Sequence, residues 1–259
     1  MFAALLAASI GSAGDRDPAF RACVAACAAP EACSSWRPPP SLRVLGWSCL
    51  ADCRYGCMWR REGERRAAGA HPVQYFGKWP FARALGMQEP ISAALSFANA
   101  LAHAAGLHAC WAHMRTAPRE VSRRWVSLAI VAVATWCCAA AFHARDVWAT
   151  QCADYFSALL LLLLGAYVAA AHLAIASDER GRPASARRPA ARSAPASGGR
   201  VGAALWCLGG CGAAWYAAHV RAMLRFFDFG AHMRVSERGG CCCGLRVAAW
   251  RPRRRQHRR

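Results

Sequence analysis

Apolar residues along this chain gather into long runs instead of recurring at the periods of a surface helix or a half-buried strand. Residues 91–112 are mostly apolar, residues 125–142 carry no charge, residues 153–176 hold the block Leu159–Leu164 behind a single acid, and residues 201–220 are rich in Gly and Ala. Runs of this kind suit helices that cross about 30 Å of hydrocarbon, and the small residues of the last run let neighbouring helices approach closely in lipid. The pattern predicts an all-α multi-span membrane protein with four spans in residues 91–234.

The ends of the chain read differently. Residues 1–14 have the form of a signal peptide: an apolar stretch from Phe2 to Ile10, too short to span a bilayer, then Gly11, Ser12, Ala13 and Gly14 before Asp15. Residues 15–90 form a head containing Cys23, Cys27, Cys33, Cys49, Cys53 and Cys57. An even set of thiols behind a signal peptide points to disulfides in an oxidising lumen, restraining a segment too small for a large core. Six cysteines allow 15 pairings, among which the sequence does not choose, and their CxxxC spacings also resemble zinc-ligand pairs. The head closes with a Pro- and aromatic-containing stretch, His71–Pro90, that carries GKWPF at Gly77–Phe81 and QEP at Gln88–Pro90. Residues 235–259 are a tail with a Gly/Cys cluster, Gly239–Gly244, and a run of arginines.

Charge refines this picture. The formal net charge is +19, yet Lys78 is the sole lysine among 33 basic residues, a skew that looks like coding bias. The basic residues lie in loops and the tail, with no basic and aromatic face, which argues against nucleic acid as a partner. Arg115, Arg119, Arg123 and Arg124 separate the first two runs, Arg145 alone separates the second and third, and Arg180, Arg182, Arg187, Arg188, Arg192 and Arg200 separate the third and fourth. The first and third loops are therefore expected in the cytosol and the cysteine head in the lumen. With four spans the basic tail would fall on the lumenal side, against that tendency. The third loop, rich in Pro, Ala and Ser, reads as a linker.

Ionisable groups at the edge of the hydrocarbon are the first candidates for chemistry. His143 ends the second run, Asp146 follows within FHARD, and Asp154 opens the third, all on the expected lumenal side. A neutral imidazole and a carboxylate there could bind zinc or hold a water on it. The alternative is a helix-end histidine paired with Asp146 to orient the turn. His103, His108, His172 and His219 are isolated on apolar helices and read as packing or interhelical hydrogen bonds, and so do Ser92, Ser96 and Asn99. Cys137 and Cys138 read as small packing groups. No nucleophile elbow, phosphate-binding glycine loop or dinucleotide fingerprint is present.

Taken in order, GDRDPAF, WSCLADCRYGCMW, GKWPF, QEPISAALSFAN, FHARD, ADYF and FFDFG resemble the Per-one-like family, the post-GPI attachment to proteins factor 3 group, over roughly residues 14–235. That family sits in a superfamily of seven-span membrane hydrolases that includes the alkaline ceramidases. The resemblance implies a Golgi membrane protein that remodels glycosylphosphatidylinositol anchors by removing the unsaturated sn-2 fatty acid. Its partners would be anchored proteins, their anchor lipid and the bilayer. It further implies a catalytic zinc held by a histidine at the position of His143 and by two from a late HxxxH motif, with a serine four residues before the first histidine and an aspartate eleven after it. Asp154 falls at the aspartate's place, while Ala139 stands at the serine's and no HxxxH occurs. After about Arg234 the chain departs from the family's motifs, in a tail that looks like a frameshift, a retained intron or an erroneous ending. These departures keep a second role open, that of a non-catalytic membrane chaperone or cargo receptor for anchored proteins.

Overall fold

The computed structural model describes residues 12–181 and 199–239, which fall into two compact units. One holds residues 12–108 and 132–155, the other residues 109–131, 156–181 and 199–239. Residues 1–11 of the expected signal peptide, much of the expected linker and most of the basic tail lie outside the described residues.

The head is built on two helices, α2 (Pro18–Cys27) and α5 (Cys49–Ala67), with short helices α1 (Ala13–Arg16), α3 (Pro30–Ser34) and α4 (Pro40–Val44) around them. Asp17 starts α2 by accepting from the Ala19 amide, ahead of Pro18 at the first helical position. Ser48 starts α5 in the same way through Ala51. Spacing of four residues puts Cys49, Cys53 and Cys57 along one side of α5. Three nested bridges result: Cys23–Cys57, Cys27–Cys53 and Cys33–Cys49. The zinc reading of these thiols thereby gives way to disulfides.

Against the outermost bridge lies a small core of Phe20, Met58 and Tyr75, edged by Val24, Tyr55, Trp59, Val73 and Phe81. The Tyr75 hydroxyl donates to the buried Glu62 carboxylate at 3.0 Å, and Asp17 pairs with Arg61 at 2.9 Å. Ser12 and Gly14 are part of this packing: the Gly14 amide donates to the Gln74 carbonyl, and the Gly77 amide to the Ser12 hydroxyl. A Cβ on Gly14 would stand 2.5 Å from the Tyr75 ring and 2.7 Å from the Gln74 oxygen. Gly14→Ala is expected to destabilise the full chain by about 2 kcal/mol through overpacking. A thermal midpoint in detergent equal to that of the native chain would refute this.

Two tight turns close the head, Tyr75–Lys78 and Ala84–Met87, each held by an isolated antiparallel bridge; there is no strand among the described residues. Each turn places a bulky residue in the left-handed region, Phe76 at φ 50 and Leu85 at φ 52.

Beyond the head come α6 (Pro90–Thr116), α7 (Arg119–Ala144), α8 (Trp148–Gly181), α9 (Arg200–Arg225) and α10 (Phe229–Gly239). Helices α6 to α9 cover the four expected spans. Among the described residues three are long and apolar enough to cross a bilayer: α7, α8 over Trp148–Asp178, and α9. At 27 residues α6 has the length, but Ser92, Ser96, Asn99, His103, His108 and His113 dilute its apolar run. Within the second unit, Trp125 donates to His172 at 2.6 Å and the Tyr216 hydroxyl to the Phe156 carbonyl at 3.1 Å.

Candidate functional site

The end of α7 is joined to the start of α6 through the backbone. The Gln88 amide donates to the Ala144 carbonyl and the Glu89 amide to the His143 carbonyl, each at 3.0 Å. Pro90, which has no amide hydrogen to donate, opens α6 directly after them, so the chain leaves this clasp as a helix. The buried Gln88 side chain accepts from the Asp146 amide, fixing the turn that follows His143. Thr150 seals the same turn, its hydroxyl bonded to the Arg145 carbonyl at 2.7 Å.

Side chains complete the arrangement. Glu89 receives His143 Nδ1 on one carboxylate oxygen at 2.6 Å and Lys78 Nζ on the other at 2.7 Å. Lys78 also reaches Asp146 at 3.2 Å and lies over the Phe142 ring at 4.8 Å. Burial alone would raise the Glu89 carboxyl, but hydrogen bonds and charge from Lys78 and His143 hold it below the usual carboxylate range. As a carboxylate, Glu89 fixes the proton of His143 on Nδ1 and leaves Nε2 as a base or ligand atom.

The motifs GKWPF, QEP and FHARD are thus one constellation. His143 pairs with Glu89, not with Asp146; the partner of Asp146 is Lys78. Asp154 stands half-buried in the second turn of α8. Sequence reasoning singled out the segments carrying Lys78, Gln88 and Glu89 without giving those residues a role. The available signal was a lone lysine and a lone glutamate beside an apolar run.

A second cluster adjoins the first. Arg83 pairs with Asp52 at 2.7 Å, and its guanidinium lies 3.7 Å from the centre of the Tyr55 ring and 4.4 Å from that of Trp47. Arg145 lies over Trp47 at 4.1 Å. Burial pushes the Arg145 guanidinium down, and the neighbouring Arg83 charge adds to this against the opposing pull of Asp146.

Among the other histidines, His219 and His232 meet at 3.1 Å between α9 and α10, and His172 accepts from Trp125, in line with the interhelical hydrogen bonding expected for His172 and His219. His103 and His108 are exposed on α6.

A family model described as the Per1-like family matches residues 39–258, running past Arg234, where the motif resemblance ends. The chain belongs to the Per1-like family. Several Per1-like relatives bear the name GPI-specific phospholipase A2-like PGAP3. The Homo sapiens protein is 36% identical over 178 residues, covering 65% of this chain and 54% of its own length. The Xenopus laevis protein is 35% identical over 178 residues, covering 64% and 55%. A Drosophila melanogaster relative named Post-GPI attachment to proteins factor 3 is 33% identical over 182 residues, covering 65% and 55%. The chain spans about half the length of these curated relatives. No solved structure matches it significantly.

For zinc, three protein ligands are needed at a catalytic site. Among the described residues no group of three or more His, Cys, Asp or Glu side chains is placed to hold a metal ion. His143 and Asp154 do not make that set.

Proposed function

We propose that this chain takes part in remodelling the lipid of glycosylphosphatidylinositol anchors. The reaction would be removal of the unsaturated sn-2 fatty acid, in the Golgi membrane, on anchored proteins as partners. The observation that carries the reading is the assembly of the Per1-like motifs around His143, with Glu89 behind the imidazole and Nε2 left for a reacting group. In this reading α6 makes a fourth crossing, and the clasp between Gln88–Glu89 and His143–Ala144 faces the lumen. His143 is the proposed base or ligand, Asp146 the residue that anchors Lys78, and Asp154 a second acid.

The test is the sn-2 acyl composition of surface anchors in cells lacking the gene. Expression of this chain is expected to restore saturated chains, and His143→Ala to fail to do so. Restoration by His143→Ala at equal expression would reject the hydrolase.

A second reading, a non-catalytic chaperone or cargo receptor, is favoured by Ala139 in place of the expected serine and by the lack, among the described residues, of a three-ligand metal group. It predicts normal acyl composition but slowed surface delivery of anchored proteins in the same cells.

A further inference from the structure

Of the three cations in the first unit's clustered network, two have carboxylates of their own and one does not. Lys78 bridges Glu89 and Asp146, and Arg83 pairs with Asp52. Arg145 forms no ion pair among the described residues; its guanidinium donates one hydrogen bond there, from Nη1 to the Asp146 main-chain oxygen at 3.2 Å. Buried donors are also in excess: Arg83 Nη1 and Arg145 Nε both lack a partner among the described residues. Leaving such a donor buried and unmet costs more than a typical hydrogen bond contributes.

Aromatic rings hold the two guanidiniums in place. Arg83 is wedged between Tyr55 and Trp47, Arg145 lies on Trp47, and Trp47 Nε1 is fixed to the Gly86 carbonyl at 2.9 Å. Stacking constrains the orientation of each guanidinium and favours planar, multidentate recognition of an oxyanion over loose screening.

The surroundings have the character of a lipid surface. Val44 is 84% exposed and Leu85 81% exposed. Leu85 adjoins Gly86, whose added Cβ would touch Ser41, Leu42 and Leu45, so the segment that carries Val44 packs against this turn. Leu85 holds a left-handed conformation, which costs about 1 kcal/mol and which glycine or asparagine would adopt more cheaply. Leu85 thus sets a bulky apolar side chain at the surface of the turn whose Gly86 carbonyl holds Trp47.

We infer that Arg145, with Arg83 beside it and Trp47 as their common platform, is a binding site for the phosphate of a phosphodiester lipid headgroup. The inference deepens the anchor-lipid reading and rests on it for the identity of the lipid. Arg145 follows His143 by two residues, so a headgroup phosphate seated there would bring the glycerol of the same lipid toward the His143 end of α7. The phosphate oxygens would accept from guanidinium donors and supply the ion-pair partner that Arg145 lacks among the described residues.

Binding to the full chain in alkyl maltoside micelles, which carry no phosphate to compete, should be measured by calorimetry with three probes: dioctanoyl phosphatidylinositol, inorganic phosphate, and dioctanoylglycerol, which has the chains without the phosphate. Phosphatidylinositol is expected to bind and dioctanoylglycerol not to. Arg145→Gln should weaken phosphatidylinositol binding at least about tenfold, Arg83→Gln similarly, and Arg145→Lys less. Intact disulfides and an unchanged thermal midpoint in Arg145→Gln would establish that the loss is local, whatever Arg83→Gln does to folding. Equal binding by the native chain and both glutamine variants overturns the site. Equal affinity for inorganic phosphate and phosphatidylinositol, lost in Arg145→Gln, overturns the lipid assignment while leaving an anion site. Calorimetry and cellular acyl analysis fail separately. Arg145-dependent binding with unaltered anchors in gene-deficient cells rejects the remodelling reading alone, and altered anchors with Arg145-independent binding reject this site alone.

Discussion

Replacing Glu89 with alanine is expected to lower the stability of the full chain by about 2 kcal/mol, between the ~0.5 of an exposed ion pair and the ~3–5 of a fully buried one. The intermediate figure follows from exposure: the side chains of Glu89, Lys78 and His143 are 31%, 20% and 28% exposed. Two partners lose their acceptor at once. Lys78 retains Asp146, but His143 Nδ1 is left facing an empty position, and its ring is then free to rotate. Anchor remodelling, if His143 carries it, should fall as far in Glu89→Ala as in His143→Ala. Glu89→Gln separates the two contributions, because its carbonyl oxygen still accepts one hydrogen bond while the charge is gone. Thermal unfolding in detergent beside acyl analysis in cells measures both; an alanine variant that melts and remodels like the native chain would falsify the role given to Glu89.

Much of this arrangement is legible in the sequence, and the remainder is hidden for physical reasons. Apolar runs reveal helices because crossing a bilayer demands length and composition together, and α7, α8 and α9 meet both. Helix α6 is the instructive exception: it is helical over the expected stretch, yet its polar residues take it out of the set that composition alone identifies. Disulfide pairing is not written in spacing, since Cys27 could meet several partners until α2 and α5 are laid side by side. His143 is visible as an ionisable residue at the end of an apolar run. Its partner is not, because Glu89 is 54 residues away and is brought to it by backbone pairing that has no signature in composition. Asp146 is the nearest acid in sequence and therefore the natural guess, but the turn after Ala144 directs it to Lys78.

Removing the outermost bridge by Cys23→Ala together with Cys57→Ala is expected to cost about 3 kcal/mol, within the ~2–5 usual for a small secreted domain. Cys57 is 3% exposed and lies in the core with Phe20, Met58 and Tyr75, so alanine there loses packing as well as the crosslink. The chain-entropy contribution is moderated by nesting: with Cys27–Cys53 still closed, the outer bridge restrains only the short segments between the two pairs. Cys33→Ala with Cys49→Ala should cost about 1 kcal/mol less, since neither sulfur belongs to that core. Thermal midpoints of the two double variants in detergent, with thiol counting to confirm the remaining bridges, decide the order. A larger loss from the Cys33–Cys49 pair would contradict the placement of the core.

The clasp between α6 and α7 also dictates an order of assembly. All six bridged cysteines precede residue 58, so the three crosslinks can close while the rest of the polypeptide is still on the ribosome. Gln88 and Glu89 then emerge with their amides unmet, and the carbonyls they need, on His143 and Ala144, are not made until α7 is complete. Between those two moments α6 has its crosslinked head on one side and no anchor for its first turn. The constellation around His143 is therefore a late event in biogenesis, and a chain halted before Ala144 would carry a finished head and no site.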